Sequence, residues 1–309
     1  MNFNLEEGKP VGRQVWRYKW YYFMILPIII WYALFAYGPM FGISIAFFKY
    51  NPYKGILGSE FVGFYQFERL MSNRLFWMAL RNSLIINLYS LIFAFPAPIL
   101  LALLLNECRG IKFKRTVQTI SYLPHFISWA IIGGLMYTFL SPSSGFINQI
   151  IKALGKESIY FMSDASYTRG LFIISGIWKG VGWGSILYLA ALTNINMELY
   201  EAATLDGAGK LKQVWHITLP GISYIITMNL IFTFTGFFDV GFEQAYNIVN
   251  NVTYDTGLVM SLYVFRMGLK EGNFSFATAV GLLQSIVGLI LLLLANYTAR
   301  VVAPDGALF

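Results

Sequence analysis

Residues 198–220 read ELYEAATLDGAGKLKQVWHITLP, and they separate two long apolar runs of the chain. The first part, residues 197–206, has a helical pattern with acidic side chains in the first turn, where they stabilise a helix. Gly207 and Gly209 predict a turn, because glycine tolerates a positive φ. A second short helix is expected over 211–218, and the proline that follows suits the entry of the next apolar helix. The stretch is therefore predicted to form a projecting knob, the loop 197–220.

The apolar runs beside this loop belong to a pattern that covers the chain. Of its 309 residues, 57% are hydrophobic and only 12% are charged, whereas soluble globular chains carry about 25% charged residues. This composition excludes an ordinary soluble protein. A spanning helix needs about 20 mostly apolar residues, and six such spans are predicted near 20–46, 81–106, 117–140, 170–193, 219–240 and 276–299. The sequence therefore predicts an all-α membrane protein with six transmembrane helices.

The basic residues predict the orientation of these spans. Six spans place both termini on one side of the membrane, together with the loop 197–220. Two basic clusters lie on that side, namely Arg13, Arg17 and Lys19, and then Arg109, Lys112, Lys114 and Arg115. The positive-inside rule makes that side cytoplasmic. We therefore expect a cytoplasmic N-terminal arm over 1–19, a transmembrane domain over 20–300 and a cytoplasmic tail over 301–309.

The net charge of +7 raises the question of an anionic partner. The basic residues flank apolar runs and do not form a stripe, so membrane lipid headgroups are favoured over nucleic acid. The first span is too long for a cleaved signal peptide and lacks a small-residue cleavage site. We therefore expect a multi-pass membrane protein that binds no nucleic acid.

No catalytic or metal-binding motif is found in the sequence. Cys108 is the only cysteine, and His125 and His216 are far apart, so no group has metal-ligand spacing. The Gly-Lys pair at 209–210 is followed by Leu211, where a phosphate loop needs Ser or Thr. We therefore expect no ATP site and no metal site in this chain.

Lys179 is the only charge within the apolar window 170–197. Such an ammonium either snorkels to the outer interface or lines a polar pathway. Asp239, at the end of the fifth predicted span, is either its ion-pair partner or an interfacial acid. Small residues also recur every four positions on two spans, as Gly176, Gly180 and Gly184 and as Ala277, Gly281 and Ser285. They predict close helix packing, either within the chain or against a second membrane subunit.

Three motifs follow one another in the loop 197–220: Glu201-Ala202-Ala203, Asp206-Gly207-Ala208 and Ile217-Thr218-Leu219-Pro220. Their order and spacing resemble the EAA loop of bacterial ABC importer permeases. Ile177-Trp178 precedes the loop as in carbohydrate-uptake permeases of the maltose-type group. Tyr37-Gly38-Pro39 looks like the complex-polysaccharide branch of that group. The resemblance extends over nearly the whole chain and implies the type I ABC importer permease fold.

The resemblance implies a non-catalytic transmembrane subunit of an ATP-driven importer in the bacterial cytoplasmic membrane. The loop would insert into a cleft of a separate cytoplasmic ATPase. The residues that would carry this coupling by motif match are Glu201, Ala202, Ala203, Asp206, Gly207 and Ala208. Two ATPase subunits would bind ATP and magnesium, and this chain would hold no cofactor. Their closure would drive rigid-body alternating access.

Two further partners are implied by the resemblance. One is a second permease subunit, expected to be a distinct paralogue. The other is an extracellular or periplasmic solute-binding protein, which would dock on outer loops near 49–76, 143–168 and 243–272.

The resemblance also assigns a substrate path. The matching positions are Lys179, Gly180, Trp183, Thr235, Gly236, Phe237 and Asp239. Lys179 departs from the apolar residue expected for a neutral sugar, and an intramembrane ammonium is costly without a partner. The resulting hypothesis is an acidic, uronate-containing oligosaccharide. An internal partner for Lys179 would weaken it in favour of a neutral oligosaccharide or another small solute.

Two other classes of membrane protein are alternatives to an importer permease. A secondary transporter keeps its ion sites within one chain and often shows inverted repeats, but no obvious repeat is present. A membrane enzyme acting on lipid-linked sugars would need clustered acids, and the 15 Asp and Glu residues are dispersed. Neither class has a use for an ATPase-docking loop.

Overall fold

The computed structural model describes residues 16, 18–108, 110–237 and 240–302, without the side chains of residues 301 and 302. Four described helices are long and apolar enough to cross a membrane: Lys19–Phe47, Arg74–Glu107, Ala165–Leu192 and Phe274–Arg300. Two bent helix pairs also qualify: Ile111–Phe126 with Trp129–Phe139, and Lys210–Gly221 with Ser223–Thr235. With each bent pair taken as one span, the described residues form six spans, as predicted. They are numbered first to sixth in chain order.

Shorter elements occupy the connections between the spans. Strands Phe48–Asn51 and Gly55–Phe61 form an antiparallel hairpin directly after the first span. The short helices are Tyr65–Met71, Phe146–Ala153, Met197–Leu205, Phe242–Ile248, Asn251–Thr253, Tyr254–Gly257, Met260–Phe265 and the π turn Arg266–Lys270. The hairpin was not predicted, although the Asn-Pro pair at 51–52 and Gly55 are turn signals.

Side-chain caps lengthen two spans beyond their predicted starts. The second span begins at Arg74 and not near residue 81, because Asn73 Oδ1 accepts hydrogen bonds from the first-turn amides of Leu75 and Phe76. The fourth span likewise begins before residue 170, with Asp164 as its N-cap. An N-cap oxygen satisfies amides that have no partner within the helix. The caps therefore extend these helices past their most apolar parts.

Three spans contain a π turn shortly before a proline. Ala33–Tyr37 precedes Pro39, Ser90–Ala94 precedes Pro96, and Val214–Thr218 precedes Pro220. Proline lacks an N–H and crowds the carbonyl four residues earlier. A widened turn relieves this crowding, so the first two of these helices continue past their prolines, whereas the helix with Pro220 ends at Gly221.

The third span is broken, and its prediction as one helix over 117–140 was wrong. Ile111–Phe126 and Trp129–Phe139 meet at an angle of 103°. Pro124 lies in the 3-10 turn that ends the first half, and Ser128 caps the second half by accepting from the Ile131 amide at 3.4 Å. The two halves are thus separate helices with their own ends. The fifth span is bent by 63° and its helix ends at Thr235, not near residue 240.

Buried apolar side chains form two clusters at opposite ends of the spans. One contains Phe76, Met260 and Tyr263. The other contains Ala102 and Tyr188 and lies beside the loop 197–220. Phe76 and Ala102 are on one continuous span, and a rise of 1.5 Å per residue separates them by roughly 40 Å. Each end of the molecule therefore has its own packed core.

The fourth span packs against its own chain through a glycine outside the predicted four-residue series. A Cβ added at Gly182 would lie 2.0 Å from the Ser121 carbonyl oxygen. Within the series, a Cβ at Gly184 would lie 3.0 Å from Pro98, whereas Gly180 faces open space. Close packing within the chain is thus observed, but its tightest point is Gly182.

Candidate functional site

The loop 197–220 begins with a capped helix that ends in a glycine turn. Asn196 Oδ1 accepts from the Glu198 amide at 3.0 Å, and the helix runs over Met197–Leu205 as predicted. At its end, the Ala208 amide donates to Ala203 O at 2.8 Å, and the Gly207 amide donates to Thr204 O at 3.1 Å. This pair of bonds is a Schellman motif, which places its glycine in the left-handed region.

The two glycines of this turn differ in conformation. Gly207 has a φ of +76°, as predicted. Gly209 has a φ of −70° and precedes the short helix Lys210–Gln213 as its N-cap, so the expectation of a positive φ there was wrong. Of the two glycines, only Gly207 adopts a left-handed backbone conformation, which most other residues avoid.

Side-chain hydrogen bonds join the two halves of the loop. Gln213 Nε2 donates to Thr204 Oγ1 at 2.9 Å and to Ala208 O at 3.2 Å. The hydroxyls of Tyr200 and Thr218 are 3.0 Å apart. These bonds fix the angle between the helices on either side of the turn.

An ion pair connects the loop to the second span. Lys210 Nζ lies 3.0 Å from Glu107 Oε2, and both side chains are largely exposed. Such a pair contributes about 0–1 kcal/mol. Its contribution to stability is therefore small, although it joins the loop to the end of the second span.

The outer surface of the loop is unusually apolar for an exposed segment. Glu201, Ala202, Asp206 and Gly207 are exposed, and Ala203 and Ala208 are half-buried. The exposed large apolar side chains are Met197, Leu199, Leu205, Leu211 and Trp215, with Leu205 89% exposed. Large apolar side chains left exposed in this number are typical of contact surfaces. The motif residues thus lie on a rigid knob with an uncovered apolar surface.

Lys179 of the predicted path is bonded to the break in the third span. Its Nζ donates to His125 O at 2.7 Å, to Ile127 O, and more distantly to Pro124 O at 3.5 Å. It also lies 5.6 Å from the centre of the Trp129 ring. The last carbonyls of a helix have no partner within the helix, and lysine is suited to bind them. The ammonium therefore has internal partners, which weakens the hypothesis that it binds a substrate carboxylate.

The two other fourth-span path residues lie in the same region. The Trp183 ring stacks on the His125 ring, with centres 4.4 Å apart and planes 4° apart. The ring of Phe126 packs edge-on against the same indole. Gly180 is half-buried, with open space where a Cβ would be. Lys179 and Trp183 thus form one cluster with the broken helix.

Two path residues of the fifth span line a cavity. Thr235 and Gly236 line a cavity of about 560 Å³ together with Ser261 and Gln284. Its remaining lining residues are Val264, Gly281, Ser285, Gly288, Leu289 and Leu292. Of the six path residues that the structure describes, only Thr235 and Gly236 line this cavity.

Two predicted path residues remain. The carbonyl of Phe237 accepts a hydrogen bond from Asn87 Nδ2, and its ring stacks on Phe234. Asp239 lies outside the described residues, as do the basic residues Arg13, Arg17 and Arg109. Gly281, Ser285 and Gly288 were not predicted to belong to the path, although their spacing puts them on one helix face.

Comparison with known proteins identifies the family. The family model described as the binding-protein-dependent transport system inner membrane component matches residues 94–304. Protein LplB of Bacillus subtilis is 44% identical over 290 residues, which cover 94% of this chain and 91% of that protein. The polygalacturonan/rhamnogalacturonan transport system permease protein YteP of the same species is 44% identical over 304 residues, covering 98% and 95%.

A solved structure agrees with these relatives. The crystal structure of a bacterial alginate ABC transporter, in complex with an alginate pentasaccharide-bound periplasmic protein, contains a similar chain. Its TM-score is 0.89 at 39% identity, with coverage of 95% of this chain and 98% of that one. The chain belongs to the family of binding-protein-dependent transport system inner membrane components, as a non-catalytic permease subunit of an ABC importer for oligosaccharides or polysaccharides.

Proposed function

We propose that this permease imports acidic oligosaccharides across the bacterial cytoplasmic membrane, driven by separate ATPases that bind the loop 197–220. The observation that carries the coupling role is the loop itself. It is internally bonded and projects exposed apolar side chains such as Leu205 and Leu211. A rigid knob transmits a displacement from a partner to the spans, which a mobile loop would absorb.

The acidic substrate is supported by the relatives and not by Lys179. The similar permease YteP is named for polygalacturonan and rhamnogalacturonan transport, and the similar solved structure is an alginate transporter. Polygalacturonan and alginate are chains of uronate sugars. The ammonium of Lys179 is occupied by backbone carbonyls. A neutral oligosaccharide remains the alternative. No contact among the described residues specifically favours it.

The proposed assembly contains this chain, a second permease subunit, two ATPase subunits and a solute-binding protein on the opposite membrane face. ATP and magnesium belong to the ATPases. In this proposal both termini of the chain lie on the cytoplasmic side with the loop. Lys112, Lys114 and Arg115, at the start of the third span, give that side a positive charge suited to anionic lipid headgroups.

A charge reversal in the loop tests the coupling. Glu201→Lys should reduce the ATPase recovered with the tagged permease at least tenfold, because like charges facing each other across an interface cost several kcal/mol. The matched control is Glu157→Lys, which reverses an exposed acid in the loop between the third and fourth spans. The ATPase copurified from membranes that express all subunits is measured by quantitative blot. Equal recovery with both variants would contradict docking through this loop.

A further inference from the structure

A groove with basic side chains lies at the start of the second span. The proposed function assigns no role to it. Trp77 and Met78 are three and four positions after Arg74 and four and three before Arg81, so these side chains share a helix face. Together with Asp255 they line a groove of about 490 Å³. Arg74, Trp77 and Arg81 are all exposed. We call these five residues the arginine groove.

The arginine groove lies at the opposite end of the molecule from the loop 197–220. Arg81 is near the start of the second span, whereas Glu107, which binds the loop, is at its end. Their separation along the helix is roughly 40 Å. That distance exceeds the hydrocarbon thickness of about 30 Å. With the loop on the cytoplasmic side, the groove faces the side from which substrate arrives.

Hydrogen bonds hold the groove in shape. Arg81 Nη2 donates to the backbone carbonyl of Asp255 at 2.8 Å. Trp77 Nε1 donates to Met71 O at 2.7 Å, which fixes the indole while its ring remains half exposed. The neighbouring Asn82 is fully buried and donates to Leu258 O at 3.2 Å. The two sides of the groove, the second span and the segment around Asp255, are therefore held in place before any ligand binds.

The groove has an excess of positive charge. Within the described part of the chain, neither Arg74 nor Arg81 forms an ion pair, and Asp255 is the single acid of the lining. Arg169 is not part of this lining; its Nη2 donates to Oδ1 of the buried Asn82 at 3.3 Å. The Nε of Arg169 is buried without a hydrogen-bond partner. The lining thus carries two guanidinium groups and one carboxylate, and this net positive charge favours an incoming anion.

We propose that the arginine groove is an entry subsite that binds a uronate unit of the incoming oligosaccharide; this inference rests on the proposed function. A guanidinium binds a carboxylate through two parallel hydrogen bonds. The exposed Trp77 ring offers an apolar face for a pyranose ring, as in sites that combine aromatic walls with few polar groups. Arg74 and Arg81 are one helix turn on either side of Trp77. They can therefore bind the carboxylate of a sugar that rests on the indole.

The test uses the complete transporter in nanodiscs and trigalacturonate as the probe, with galactotriose as its neutral counterpart. Arg74→Gln/Arg81→Gln should raise the Kd for trigalacturonate at least tenfold, measured by titration calorimetry, and leave galactotriose binding unchanged. The matched control is Lys112→Gln/Arg115→Gln, which removes two exposed charges at the start of the third span, away from the outer loops. Its Kd should change less than threefold. Arg74→Gln alone, which breaks no hydrogen bond described here, serves if the double variant does not elute as a single species.

Three results would overturn the entry subsite. One is equal trigalacturonate affinity in the groove and control variants, and another is no binding to the wild type. The third is unchanged trigalacturonate binding with lost stimulation by the loaded binding protein, which would make the groove a protein contact. The proposed function is measured separately, as ATP-dependent uptake of trigalacturonate by proteoliposomes supplied with the binding protein. Wild-type uptake with no effect of the groove variants on binding refutes only the subsite, whereas absence of uptake refutes the acidic substrate.

Discussion

Two glycines in the fourth span show how differently neighbouring small residues act. A Cβ on Gly182 would lie 2.0 Å from Ser121 O, whereas one on Gly180 would meet no atom within 4 Å. Gly182→Ala should therefore lower the stability of the purified permease by about 1–3 kcal/mol or more, as expected for overpacking. Gly180→Ala is the control on the same helix and should be neutral. Thermal unfolding in detergent measures both, and equal midpoints would show that the spans are not in contact at Gly182.

The turn of the loop 197–220 offers a second pair of glycines. Gly207→Val should abolish transport while expression stays near wild type, because a β-branched residue is strained at a φ of +76°. Gly209 has an ordinary φ and open space around it, so Gly209→Val is the matched control and should retain most activity. ATP-driven uptake by the assembled transporter is the measurement. Normal uptake by the Gly207→Val protein would refute the requirement for this turn.

At the scale of elements, Lys179 explains how a broken helix persists within a membrane. Unsatisfied backbone groups cost several kcal/mol in hydrocarbon, and the break exposes the carbonyls of His125 and Ile127, to which Lys179 Nζ donates. The fourth span thus supplies the donor that the bent third span lacks. This arrangement makes Lys179 a positioning residue for the break.

Replacing that donor should affect all substrates alike. Lys179→Met is expected to lower uptake of acidic and neutral oligosaccharides by similar factors and to lower the unfolding temperature, because three carbonyls lose their donor. Lys179→Arg keeps the charge and several donors, and it should restore part of both properties. A selective loss of acidic uptake with unchanged stability would instead return Lys179 to the role of a substrate ligand.

At the scale of the whole molecule, the two packed clusters coincide with the two proposed working ends. The cluster around Tyr263 adjoins the arginine groove, and the cluster around Tyr188 adjoins the loop 197–220. The second span joins them without a sharp break. A displacement at the loop can therefore reach the opposite end through one continuous helix. This architecture fits the rigid-body alternating access that we propose.

The sequence alone predicted the number of spans and the local form of the loop. Span number follows from the length of the apolar runs, because the bilayer sets how many residues a helix needs. The glycine turn at Gly207 was predictable because its hydrogen bonds join residues only a few positions apart. The break near Ser128 could also have been predicted, since Pro124 and a capping serine mark it. It was missed because the run is apolar throughout.

Only the tertiary structure decided which distant surfaces meet. Lys179 was read as a candidate ligand because the carbonyls that bind it lie more than 50 positions earlier in the chain. Gly182 was missed because the demand for glycine comes from the backbone of another helix. For the same reason the sequence did not show that Trp183 packs on His125 while Thr235 lines a cavity with the sixth span. Burial in a bilayer and turn geometry are local requirements that sequence encodes directly, whereas packing partners depend on how bent helices come together.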